Sequence, residues 1–145
     1  MYLIDTTLVS LFDPQERAAA ADVIAWMERH DRLLVLSAIT VMELERGLLA
    51  LRRAGAEPRA AAIEALRDGL LRDFGPRLLP VDAEVALIAA RLAEMPEAGS
   101  LPALLVAATA RARGLTVLTR DPDRFAAAGV AAFNPLAGLP PDIGG

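Results

Sequence analysis

The sequence contains no cysteine, no lysine and a single histidine, His30, among its 145 residues. Without cysteine there are no disulfides, no thiolate zinc ligands and no thiol nucleophile. One histidine does not build a histidine metal site. All 15 basic residues are arginine. That excludes a P-loop lysine, Schiff-base aldolase chemistry and pyridoxal phosphate chemistry, each of which needs an amine at its centre. Carboxylates, hydroxyls and guanidinium groups are what remain. No charge-free stretch is long enough, without Gly or Pro, to span a bilayer. Nor does the N-terminus carry a basic region followed by an apolar core, because Asp5 interrupts it. The expectation is a chain that avoids the membrane and resides in the cytoplasm. The net charge of −4 also lacks the basic footprint of duplex-binding proteins. A nucleic-acid role would therefore need local arginine patches or metal ions.

At 54% hydrophobic residues, the chain can bury one sizeable core. Its mean hydropathy of +0.38 owes much to alanine. A single domain over residues 1–136 is expected, with a Pro- and Gly-rich tail, 137–145, that frays. Tyr2-Leu3-Ile4 reads as a short strand, and Pro14 to His30 as a helix with Ala20, Val23, Ile24 and Met27 on its apolar face. Leu33–Ser37 forms a second strand feeding a helix that ends near Gly55. Its apolar stripe of Val41, Leu44, Leu48 and Leu51 serves either the core or a dimer face. A helix from about Pro58 to Phe74 follows, then a strand in "RLLPV", a helix from Asp82 to Glu94, and a helix from about Pro102 closed by Gly114. "LTVLTRD" is a fourth strand and "VAAF" a fifth candidate. Strands and helices alternate without hairpin signals, which predicts an α/β fold with a parallel sheet covered on both faces.

In such a sheet the carboxyl ends of the strands share one edge, where ligands bind. Asp5 in "LIDTT" and Asp121 in "VLTRD" both fall there. Glu43 lies early in the helix after the second strand, within reach of the same edge. Clustered carboxylates repel unless cations neutralise them, and oxygen-only donors favour Mg²⁺ or Mn²⁺. Such ions activate water and stabilise charge on a phosphate, so the implied chemistry is phosphodiester hydrolysis. Other uses of these residues fit the same spacing. Thr40-Val41-Met42-Glu43 matches a capping box. Asp121 before Pro122 suits a helix cap as well as a metal ligand. Asp123 either joins the site or favours the start of the next helix. Thr6 and Thr119 could orient a carboxylate or serve as a cap or buried hydroxyl. Trp26 and His30 read as core packing and a helix-end contact. An aspartyl-phosphate hydrolase is disfavoured by Thr7, where its second Asp would stand, and by the absence of lysine.

The fragments "YLIDTTLVSLF", "LSAITVMELERGL", "LPALLVAATARARGLTVLTRDPDRF" and "GVAAFNPL", taken in order, resemble the PIN-domain ribonucleases that act as VapC-type toxins. The resemblance covers nearly the whole chain. It implies a three-layer α/β/α sandwich around a parallel sheet of four to five strands and Mg²⁺- or Mn²⁺-dependent endonucleolytic cleavage of RNA. It also implies homodimers and inhibition by a cognate antitoxin. The family's acids fall on Asp5, Glu43 and Asp121, with Asp123 a further candidate ligand. One more acid is expected after the proline that opens the "LLVAATA" helix, but this sequence reads Pro102-Ala103. Ala103 has no oxygen to offer, and Glu97, the nearest upstream acid, lies across Gly99. Impaired cleavage is the expectation, and a PIN-like module that only binds RNA or protein is the alternative. Arg46, Arg111, Arg113 and Arg120 are candidate RNA contacts through bidentate phosphate binding. Arg52 and Arg53 suit a solvated, ion-paired face.

Overall fold

The computed structural model describes residues 1–141 and contains five strands. These are β1 (Tyr2–Ile4), β2 (Leu34–Ser37), β3 (Leu78–Leu79), β4 (Thr116–Leu118) and β5 (Ala132–Phe133). They lie in the order β3-β2-β1-β4-β5 with every neighbouring pair parallel. The helices among the described residues are α1 (Thr6–Val9), α2 (Pro14–Arg17), α3 (Ala21–Arg29), α4 (Ala38–Arg53), α5 (Glu57–Phe74), α6 (Ala83–Leu92), α7 (Leu101–Arg113) and α8 (Pro122–Ala126).

The central strands β1, β2 and β4 are buried on both sides apart from half-buried Thr116, the edge strands β3 and β5 are less so, and side chains alternate with period two. Tyr2, Ile4, Leu34, Leu36 and Leu118 enter one core with α1, α3 and α5 residues such as Leu8, Trp26 and Phe74. Leu3, Val35 and Val117 enter the other with Val85 of α6, Val106 of α7 and Phe125 of α8. This is the expected three-layer α/β/α arrangement. Because β2 and β4 flank β1 on opposite sides, the chain winds away from β1 in both directions. The crevice between the carboxyl ends of β1 and β4 is the switch point where such sheets bind ligands.

Local signals explain most boundaries. Asp13 caps α2 by accepting from Gln15 N at 3.0 Å, with Pro14 in the first turn. That bond, with the Arg59 guanidinium beside it, holds the Asp13 carboxyl below its usual range. Ser37 caps α4 by accepting from Ile39 N at 3.0 Å. Ser100 and Pro102 open α7, and Gly114, at φ 63°, closes it in the left-handed conformation that glycine adopts without strain.

Several expectations change. The helix from Pro14 to His30 is broken, because Ala20 leaves the helical region at φ −131° and buries its methyl. The third strand shrinks to two residues, since Gly75–Arg77 is spent in a 3-10 turn. Thr40 is not a cap: Ser37 starts α4 and leaves Thr40 within its first turn, so the capping box is absent. Of the α4 stripe, Leu48 is buried and Leu44 packs on the first core, while Val41 and Leu51 are half-buried. Just past Leu136, Ala137 N donates to Asn134 O at 3.0 Å and Pro140 is buried. The rest of the tail, 142–145, lies outside the described residues. Trp26 is core, and His30 stacks on it at 4.5 Å while its Nδ1 meets Trp26 O at 2.8 Å.

Candidate active site

Asp5 follows β1 directly and is only 3% exposed. Its amide bonds Leu118 O at 2.8 Å, tying it to the end of β4. Three donors converge on one oxygen, Oδ2: Thr119 Oγ1 at 2.8 Å, Thr7 Oγ1 at 2.9 Å and Arg124 Nη2 at 3.1 Å. Thr119, fully buried, also accepts from Asp121 N at 3.1 Å. One hydroxyl thus orients Asp5 and fixes the backbone that carries Asp121. Asp121 stands at the cap position of α8 but makes no side-chain capping bond, which leaves its exposed carboxylate for other use.

Glu43 reaches the same edge from α4. Its Oε1 accepts from Thr6 Oγ1 at 2.8 Å, and Thr6 Oγ1 meets Thr40 Oγ1 at 3.0 Å. Adjacent residues Thr6 and Thr7 therefore serve different acids, Glu43 and Asp5. A helix begins immediately after Asp5, which is why consecutive hydroxyls can point to two sides. Beside Glu43 a groove of about 530 Å³ is lined by Arg46 and Arg53.

Ala103 lies in the first turn of α7 and lines a second cavity, of about 310 Å³, together with Glu97, Asp121, Asp123, Arg124 and Phe125. Position 103 thus shares a cavity with Asp121, Asp123 and Glu97, which Asp5 and Glu43 do not line. Oxygen-only donors are the right chemistry for hard cations. As arranged, however, the residues do not assemble such a site. Ala103 offers a methyl, and Asp5 Oδ2 is engaged by a guanidinium. Among the described residues no three His, Asp or Glu side chains converge to hold an ion.

The arginine candidates separate. Arg46 shares the groove with Glu43. Arg120 braces the site, donating from Nε to Thr7 O at 2.7 Å while its side chain stays 42% exposed. Arg111 and Arg113 lie toward the far end of α7, about 12 and 15 Å along the helix axis from Ala103. They flank the opposite edge of the sheet, and Arg113 pairs with Asp82 at 3.4 Å. Arg52 is ion-paired with Glu64 and Glu57. Two cavity residues have weak sequence signals. Arg124 reaches Asp5 from the short α8, which packs on β4 and β5, and Glu97, a loop residue at φ 58°, lines the cavity.

The PIN domain family matches residues 2–130. Toxin FitB of Neisseria gonorrhoeae is 36% identical over 143 residues, covering 93% of this chain and 98% of that protein. VapC ribonuclease Y4jK of Sinorhizobium fredii is 34% identical over 140 residues, covering 93% of this chain and 97% of its own length. The crystal structure of FitAcB from Neisseria gonorrhoeae superimposes with a TM-score of 0.73 at 34% identity, over 93% of this chain and 98% of that one. The family match over residues 2–130 and the near-complete alignment to relatives 34–36% identical place this chain in the PIN domain family, among relatives that include toxin FitB and a VapC ribonuclease.

Proposed function

We propose that this chain is the toxin of a toxin–antitoxin pair and carries the centre of an endoribonuclease, impaired because Ala103 stands where a further carboxylate belongs. The observation that carries this reading is the shared cavity: the methyl of Ala103 opens onto the same space as Asp121, next to the Arg124 that contacts Asp5. On this reading Asp5, Glu43 and Asp121 are the reacting acids, and Asp123 lines the cavity beside Asp121. Thr6, Thr7 and Thr119 set their positions. Arg46 and Arg120 offer guanidinium groups to the RNA backbone on the same edge. Mg²⁺ or Mn²⁺ is the cofactor class for the restored centre, and the cytoplasm is its compartment. A cognate antitoxin and a second copy of the chain are the protein partners. The names of the relatives, a toxin and a ribonuclease, support the reading.

Inducible expression in a bacterial host tests it. Ala103→Asp should arrest growth and deplete RNA, whereas the native chain and an Asp5→Asn, Ala103→Asp double variant should do neither. Arrest by the native chain equal to that by Ala103→Asp would contradict impairment. Arrest by neither would favour the second reading, a PIN-like module that binds RNA or protein without cutting. The Arg124–Asp5 contact is the observation on that side, since it closes the acid without a catalytic partner.

A further inference from the structure

A buried carboxylate needs a positive charge nearby or it destabilises the fold. The Asp5 side chain is 5% exposed, and the hydroxyls of Thr7 and Thr119 give it hydrogen bonds but no charge. Among the described residues, the cation recorded against it is Arg124, whose Nη2 lies 3.1 Å from Oδ2. That guanidinium is itself placed, with its central carbon 5.3 Å from the centroid of the buried Phe125 ring. It also lines the cavity onto which Ala103 opens.

We propose that Arg124 is the resident cation of this centre: it takes, at Asp5, the charge-neutralising role that a divalent ion would otherwise fill, so that a metal ion enters only by displacing it. This rests on the reading of the cavity as the acidic centre. The methyl at 103 and the guanidinium at 124 act in the same direction. Relative to an acid at 103 and a neutral residue at 124, each removes one unit of negative charge that a bound ion would have to balance. The centre is thus complete without metal, and chelation leaves the fold unaffected. Restoring an acid at 103 alone leaves Arg124 competing for Asp5.

The test is Mn²⁺ binding, measured by titration calorimetry and by the electron paramagnetic resonance signal of free Mn²⁺. It uses the full-length native chain, Ala103→Asp, Arg124→Gln, Ala103→Asp/Arg124→Gln and Ala103→Asp/Arg124→Lys, with melting curves in chelator alongside. The native chain should bind no Mn²⁺ in the micromolar range and melt identically with or without chelator. Arg124→Gln should lower the melting temperature in chelator, with Mn²⁺ partly restoring it. The Gln double variant should bind Mn²⁺ at least about tenfold more tightly than Ala103→Asp, the expected scale for removing one positive charge beside a divalent ion. The Lys double variant, which keeps the charge, should stay close to Ala103→Asp. Equal Mn²⁺ affinity in Ala103→Asp and the Gln double variant, or absence of binding in both, would overturn the proposal. So would micromolar binding by the native chain. No RNA enters this measurement, so its failure is distinct from failure of the ribonuclease reading.

Discussion

Thr119→Val removes one oxygen from the centre and little else. Threonine and valine have nearly the same shape, and Thr119 is completely buried, so the substitution creates neither a cavity nor overpacking. What goes is the 2.8 Å bond from Oγ1 to Asp5 Oδ2 and the acceptor for Asp121 N at 3.1 Å. The first is charge-assisted, and losing such a bond costs roughly 1.5–3 kcal/mol. The second costs less, because Asp121 is exposed and water can replace the acceptor. Thr7 and Arg124 still hold Asp5, which keeps the total near the middle of that range, about 2 kcal/mol. For a domain of this size that corresponds to a fall in melting temperature of ~4–8 °C. Thermal unfolding followed by circular dichroism reads it directly. Urea unfolding should show the midpoint falling at constant slope. A Thr119→Val protein melting within about 1 °C of the native chain would refute the claim that this hydroxyl carries the Asp5 network.

Two further outcomes follow from the same geometry. The folded-state pKa of Asp13 lies below the ordinary value of 3.8, so its contribution to stability is present above that value and lost as pH falls through the lower folded one. Asp13→Asn should therefore be less stable than the native chain at pH 7, and the gap measured by urea unfolding should narrow on acidification below about 4. In the Ala103→Asp background, Arg46→Glu should weaken RNA binding by roughly tenfold in a filter-binding assay at low salt. Arg111→Glu, toward the far end of α7, should change it less than about twofold.

Much of this arrangement was legible in the sequence because it depends on local chemistry. Buried parallel strands read as short apolar runs, and the Pro and Gly positions punctuate the helices between them. Once the strands are placed, Asp5 and Asp121 must share an edge; the acid expected in place of Ala103 comes from the resemblance to PIN-domain ribonucleases alone. What escaped depends on direction and on competition between nearby groups. Arg111 and Arg113 sit on the helix that begins at the site, but that helix runs away from it. Glu43 matched a capping box, yet Ser37, at the true start of α4, takes the cap, and Glu43 bonds Thr6 from a distant segment. Arg124 reaches Asp5 from a five-residue helix packed on β4 and β5. No hydrophobic period spans so short an element.

The most direct measurement is single-turnover cleavage of a structured RNA in Mn²⁺ by the purified native chain and by Ala103→Asp, each with a chelator control. The account predicts that Ala103→Asp cuts at least about a hundredfold faster than the native chain, the scale of losing a charged group that acts in the transition state, and that chelator abolishes the difference. Equal rates for the two proteins, or cleavage by Ala103→Asp that persists in chelator, would contradict it.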